Sequence, residues 1–251
     1  MILPLHASLM NRARSHAKLK AVLFFALPAA LSYAYGYIQY NLLLGPERSL
    51  PLTWLDRAIP FDPAWAWAYV SLYALMPIGP LLARRRDDLI SYAWATVAFF
   101  AVAFLCFMLA PVPAPRPSVV PDDWLYKLVL AFDRDHNTMP SLHAACATFA
   151  VLFGTHASRD TRRPRLRRAL LGLAWAWTAA IFYSTIATRQ HYALDLLAGG
   201  ALAVAAYQLV RGRVVRAPAE GATPPSIAPA FDALASTPPC PVPSTTRVPS
   251  L

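Results

Sequence analysis

Long apolar runs separated by short polar and basic segments dominate the hydropathy pattern of the chain. A helix needs about 20 apolar residues to cross the hydrocarbon core of a bilayer, and its backbone polar groups must pair within the segment. The pattern therefore predicts an all-α integral membrane bundle of about six transmembrane helices. The predicted spans are residues 21–43, 64–83, 89–111, 140–157, 169–188 and 191–210.

The segments outside the spans complete the predicted organisation. Residues 1–20 are predicted to be a basic cytoplasmic N-terminus, residues 21–212 the six-helix membrane domain, and residues 213–251 a Pro-rich disordered cytoplasmic tail. The first apolar run is too long for a cleavable signal, so we interpret it as a retained anchor. Residues 111–140 form the longest loop. Apolar residues between Trp124 and Phe132 predict a short amphipathic helix there, at the membrane surface.

Basic residues alternate between the two ends of the predicted bundle. The chain carries a net charge of +10, and 16 basic residues flank the spans on one side against six on the other. The positive-inside rule then places both termini in the cytoplasm of a multi-pass cell-membrane protein. This distribution explains the charge without nucleic acid. The three cysteines follow neither a disulfide nor a zinc pattern.

Three polar clusters fall at the same, extracytoplasmic end of the bundle, although they are far apart in sequence. They are Arg116-Pro117 after span three, Pro140-Ser141-Leu142-His143 at the start of span four, and Ser184 to Asp195 between spans five and six. The end of an odd span and the start of an even span lie on the same side. We therefore expect the clusters to converge on one outward-facing site.

The residue types in these clusters suit phosphoryl transfer. His191 and Asp195 are four residues apart, so on a helix the carboxylate can orient and charge the imidazole, leaving the other nitrogen as nucleophile or base. His143 lies in the first turn of a helix whose free amides favour anions. Ser141 adds a hydroxyl donor and Arg116 a planar fork for phosphate oxygens. No cofactor is expected, although two histidines and an aspartate can also hold a metal.

These residues resemble the motifs of the type 2 phosphatidic acid phosphatase superfamily. The resemblance rests on Thr138-Met139-Pro140-Ser141-Leu142-His143, on Gln190-His191-Tyr192 with Asp195 and Gly199, and on Arg116-Pro117. The closest similarity is to the inositol phosphorylceramide synthase-like branch, with which the segment Leu55 to Phe61 also agrees. It covers roughly residues 20–212.

The resemblance implies a metal-independent mechanism. His191 would form a phosphohistidine, Asp195 would activate it, and His143 would protonate the leaving oxygen. Arg116 and Ser141 would bind the phosphate. Thr185 stands where the superfamily has an arginine, so Arg189 is predicted to supply that charge from the same helix face.

The function expected from this resemblance is that of a lipid phosphatase or phosphotransferase acting on a lipid phosphate within membrane lipids. A synthase-like headgroup transferase is an alternative reading of the same motifs. A non-catalytic lipid-binding or transport protein and an intramembrane serine hydrolase using Ser141 are the alternatives from other classes. The sequence leaves the lipid, the acceptor and the oligomeric state open.

Overall fold

The computed structural model describes residues 14–133, 135–159, 161 and 163–216, with side chains described up to residue 211. Helices account for most of this part of the chain, and we number them in chain order. They are α1 (Ala17–Asn41), α2 (Trp54–Ala58), α3 (Pro63–Leu82), α4 (Arg86–Leu109), α5 (Trp124–Phe132), α6 (Leu142–Ala157), α7 (Pro164–Ala187) and α8 (Ala193–Arg216).

Five of these helices are long and apolar enough to cross a membrane, which confirms the all-α membrane bundle. They are α1, α3, α4, α7 and α8, and α3 is built of short helical pieces. The predicted fourth span is shorter than expected, because α6 has 16 residues and extends only about 24 Å. The polar residues that open this segment belong to the preceding loop.

Helix α6 lies at the centre of the bundle. Most of its residues are buried, and it packs against α3, α4, α7 and α8. Alanines at 144, 145, 147 and 150 let neighbouring helices approach closely, while Phe149 and Phe153 fill the core with rings from α4. A helix enclosed by protein does not have to match the thickness of the lipid, which accounts for its short length.

The long loop contains the predicted surface helix. Residues Trp124–Phe132 form α5, and the Asp123 carboxylate caps it by accepting a hydrogen bond from the Tyr126 amide. Leu125, Tyr126 and Val129 are buried, whereas Trp124 and Phe132 are exposed. This distribution of apolar residues is typical of a helix lying between protein and membrane interface.

The chain ends differ from the predicted boundaries. Helix α1 begins at Ala17, within the segment predicted to be a polar N-terminus, and the Lys20 ammonium donates to the carbonyls of Leu81 and Ala83 at the end of α3. A cation satisfies the unpaired carbonyls of a helix C-terminus, so this lysine is buried without losing its partners. Helix α8 continues to Arg216, so residues 213–216 are helical. The rest of the predicted tail lies outside the described residues.

The alternation of helices and the distribution of basic residues together predict which side of the membrane each loop faces. In a cysteine-free background, a cysteine at Val120 should react with a membrane-impermeant maleimide added to intact cells. A cysteine at Arg163 should react only after the membrane is opened. Both positions are exposed in the structure. The reverse labelling pattern would place the polar clusters in the cytoplasm.

Candidate active site

The site forms where the starts of α6 and α8 meet. The Ser141 amide donates to the Asp195 carbonyl over 3.0 Å, and Ser141 Oγ caps α6 by accepting from the Ala144 amide over 3.2 Å. A Cβ atom at Gly199 would lie 2.1 Å from the Ser141 carbonyl oxygen. The absence of a side chain at Gly199 is therefore the condition for this close approach of the two backbones.

His191 and Asp195 form the pair that their spacing predicts. His191 Nδ1 donates to Asp195 Oδ2 over 3.3 Å, and the Tyr192 amide donates to the same oxygen over 3.0 Å. Both side chains are buried. With Nδ1 bound to the carboxylate, Nε2 is the nitrogen left for chemistry, and it is buried without a hydrogen-bond partner among the described residues.

The surroundings of His191 favour its charged form. Burial alone would lower the pKa of this imidazole, but the carboxylates of Asp195 and Asp133 outweigh it and raise the pKa above its ordinary value. The backbone of Thr138 also contributes to raising it. A buried imidazole with a raised pKa is typical of a functional site.

His143 faces His191 from the first turn of α6. Their ring centroids are 5.7 Å apart. The His143 ring stacks on Tyr69 of α3, with centroids 3.9 Å apart and planes at 28°. Its Nε2 is also buried without a partner among the described residues. Two neighbouring imidazoles, one from α6 and one from the loop before α8, thus each have an unpaired Nε2 among the described residues.

The turn between α7 and α8 differs from the helix on which the role of Arg189 was predicted. The premise was that residues 185 and 189 share a helix face, but α7 ends at Ala187 and Arg189 has a left-handed backbone with φ of 56°. Its guanidinium donates to the carbonyls of Asp56 and Ile59, over 2.8 and 3.2 Å. The structure therefore gives the Arg189 guanidinium partners in the turn, and its role in binding the phosphate remains a prediction.

Asp56 fixes the same turn from the other side, a role that sequence reasoning missed. Its Oδ1 accepts from the Ala193 amide at the start of α8 over 2.8 Å, and its Oδ2 accepts from the Thr53 amide over 2.7 Å. A buried carboxylate at a helix N-terminus is stabilised by the free amides and the helix dipole. The segment Leu55 to Phe61 thereby holds the loop that presents His191.

Arg116 lies beside the histidines but already has protein partners. Its guanidinium donates to the Gln190 side-chain oxygen over 3.1 Å and to the Asp133 carbonyl, and it pairs with Asp135. Its Nε is buried without a partner among the described residues. Ser141, in contrast, is fully buried and acts as a helix cap. The roles predicted for both in phosphate binding remain predictions.

Asp133 completes the cluster, and sequence reasoning did not identify it. One ligand atom from each of Asp133, His143 and His191 lies within 4.8 Å of the others. Tyr35 and Tyr69 donate their hydroxyls to the two oxygens of this carboxylate. Asp133 ends the surface helix, where an acidic residue is ordinarily solvated, so neither periodicity nor spacing indicates its position.

The same three side chains can hold a divalent ion as well as a phosphate. Two imidazole nitrogens and a carboxylate, with outer carboxylate or hydroxyl partners, are a ligand set that transition metals accept. The expectation of a site without metal therefore remains a prediction.

Fold and site together define a class of protein. It is a helical membrane protein with a buried His–Asp pair and a second histidine at one end of the bundle. A family model described as the PAP2 superfamily matches residues 37–209. The chain belongs to this superfamily, whose members are phosphatases and phosphotransferases. A comparison with curated proteins gives no match.

The contact at Gly199 generates a test of the site's framework. We expect Gly199→Ala to destabilise the protein by about 1–3 kcal/mol, because a methyl group cannot fit against backbone without moving α6 from α8. Activity should fall with it. Gly172→Ala in α7 is the matched control, since nothing lies within 4 Å of its Cβ position. Equal thermal stability of the two variants in detergent would contradict the role of Gly199.

Proposed function

We propose that this protein is an extracytoplasmic lipid phosphatase or phosphotransferase that works through a phosphohistidine on His191. The observation that carries the proposal is the proximity of the His143 and His191 rings, whose centroids are 5.7 Å apart and whose Nε2 atoms have no partner among the described residues, with Asp195 bound to His191 Nδ1. Membership of the superfamily supports the reaction class.

The arrangement supports a separate role for each histidine. Asp195 accepts from Nδ1 of His191, so Nε2 carries the lone pair that attacks phosphorus. His143 stands across the gap, where a protonated imidazole can reach the leaving oxygen. Arg116 lies at the edge of the cluster and can stabilise negative charge on the phosphoryl oxygens.

The reaction follows in two balanced steps. In the first, His191 Nε2 bonds to phosphorus, the bond from phosphorus to the leaving oxygen breaks, and that oxygen takes the proton of His143. In the second, water or an alcohol attacks the phosphohistidine, its proton passes to His143, and the phosphorus–nitrogen bond breaks. The chain returns to its starting protonation state. The acceptor decides whether the result is hydrolysis or transfer.

An apolar cavity supports a lipid substrate. It has a volume of about 570 Å³ and is lined mainly by the outer end of α4 together with Val112 and Met139. Met139 directly precedes the Pro140–His143 segment, so the cavity adjoins the chain that carries one catalytic histidine. Arg48 and Ser49 contribute the polar part of the lining. An acyl chain suits the apolar wall.

The acceptor can be a lipid alcohol, as in the synthase-like branch that the motifs resemble. The segment Leu55 to Phe61, which contributes to that resemblance, braces the loop of His191 through Asp56. Its place beside the site is the observation that favours this second candidate. Product analysis with a phospholipid donor and either water or a lipid alcohol as acceptor separates the two.

Substitution of the two histidines tests the assignment of roles. We expect His191→Ala to abolish turnover and the formation of a phosphoenzyme from a radiolabelled lipid phosphate. His143→Ala should lose about 10²–10⁴-fold with an alkyl phosphate, the range for a general acid, and much less with an aryl phosphate. His136→Ala is the matched control, because His136 pairs with Glu47 in the outer loop. Activity of His191→Ala would end the phosphohistidine scheme.

The raised pKa of His191 predicts the acidic side of the pH profile. The nucleophile must be unprotonated at Nε2, so turnover should fall as the pH falls through a value above the ordinary histidine pKa. Asp195→Asn removes the charge that contributes most to raising the pKa. Its residual turnover should therefore lose activity at a lower pH than wild type. An unshifted acidic limb, followed with an aryl phosphate, would contradict this assignment.

A further inference from the structure

A group of unpaired amide atoms lies beside the histidines and has no part in the scheme above. The side chain of Asn137 is only 4% exposed, and neither its Nδ2 nor its Oδ1 has a hydrogen-bond partner among the described residues. The Nε2 atom of Gln39, on α1, is also buried without such a partner. A buried amide without partners costs more free energy than the same amide in water, so its retention points to a ligand.

Both amides lie next to the Tyr35 hydroxyl, which links them to the candidate active site. Gln39 and Asn137 interact with this hydroxyl, but the contacts fall short of hydrogen-bond geometry and leave the amide nitrogens without a partner of their own. The Tyr35 hydroxyl donates to Asp133, whose carboxylate lies within 4.8 Å of ligand atoms of both histidines. The two amides therefore border the histidines without being held by their hydrogen bonds.

The backbone places Asn137 between the histidines and the apolar cavity. The backbone of the next residue, Thr138, interacts with the His191 imidazole. Asn137 also forms a parallel β-bridge with Val112, and the cavity is lined by Val112 and Met139. A substrate with its phosphorus at His191 and an acyl chain in the cavity would carry the atoms that join these two parts past Asn137.

The chemistry of a carboxamide selects the group that it can bind. An amide presents donors and an acceptor side by side, and a hydroxyl group is at once a donor and an acceptor. A hydroxyl can donate to Asn137 Oδ1 while it accepts from Asn137 Nδ2 or Gln39 Nε2. A methylene group satisfies none of these atoms, and a second phosphate would lie near the Asp133 carboxylate that Tyr35 contacts.

We propose that Asn137 and Gln39 form a specificity subsite for a free hydroxyl group, carried on the alcohol that is esterified to the phosphate. The substrate class is then a lipid phosphate that keeps an unesterified hydroxyl near the phosphoester, as in a monoacylglycerol phosphate. The inference rests on the proposed function and adds to it the group that selects among lipid phosphates. Neither residue exchanges a proton or a phosphoryl group with the substrate.

The test compares two substrates, a monoacylglycerol phosphate and its deoxy analogue, which differ only in the hydroxyl on the central glycerol carbon. We expect wild type to favour the hydroxyl-bearing substrate by about 10-fold or more in kcat/KM, because the analogue leaves the buried amides unpaired. Asn137→Leu replaces the amide by an apolar group of similar size. It should lower kcat/KM for the hydroxyl-bearing substrate far more than for the analogue, so that the preference is largely lost.

Asn41→Ala is the matched control, since Asn41 is exposed at the end of α1 and its amide donates to the Tyr37 carbonyl over 3.0 Å. It should keep the wild-type preference. The thermal stability of Asn137→Leu in detergent should equal or exceed that of wild type, because the substitution removes an unpaired buried amide. A less stable Asn137→Leu that loses activity equally on both substrates would overturn the proposal by showing a structural role.

Equal kcat/KM values of wild type for the two substrates would also overturn the proposal, because the amides would then bind water only. If Asn137→Leu does not fold, Gln39→Met carries the same comparison, since methionine keeps the length of the side chain and removes its donor. This variant should reduce the preference, and an unchanged preference would contradict the subsite. Failure of the proposed function would differ from these outcomes, because wild type would then form no phosphoenzyme with either substrate.

Discussion

The close approach of two backbones at Gly199 is the constraint on which the rest of the site depends. Without a side chain at this position, the loop before α6 can place the Ser141 amide on the Asp195 carbonyl. That contact joins the first turns of α6 and α8. His143 belongs to the first of these helices and His191 lies two residues before the second. The close approach at Gly199 therefore helps to fix the distance between the two imidazoles.

Charge in an apolar bundle is the second organising feature. Ionisable groups in a membrane domain are costly unless they are paired, and here three carboxylates at the site have partners of defined geometry. Asp195 holds His191, Asp56 receives the amide that opens α8, and Asp133 receives two tyrosine hydroxyls. The hydrogen bonds that offset the cost of burial are the same ones that orient the site. Stability and chemistry therefore rest on shared contacts.

The loop that carries His191 is fixed by segments distant in sequence. Arg189 reaches the carbonyls of Asp56 and Ile59, and Tyr126 of α5 donates to the Thr188 carbonyl. The segments around α2 and α5 thus form a hydrogen-bonded frame around the loop of His191. The histidine that we propose as nucleophile needs such a frame, because small displacements of a reacting group lower the rate strongly.

The sequence by itself determined the membrane bundle, the helix at 124–132 and the spacing of His191 and Asp195, because hydrophobic periodicity and i, i+4 neighbours are local properties. The sequence also predicts that the polar clusters lie at one end of the bundle. This follows from the order of the spans alone, because the end of an odd span and the start of an even span lie on the same side. Only the tertiary structure decided that α6 is short and enclosed, that Arg189 turns toward Asp56, and that Asp133 joins the histidines. These outcomes depend on packing between segments far apart in the chain, and on a left-handed backbone at Arg189 that ends the helix before the predicted face is complete.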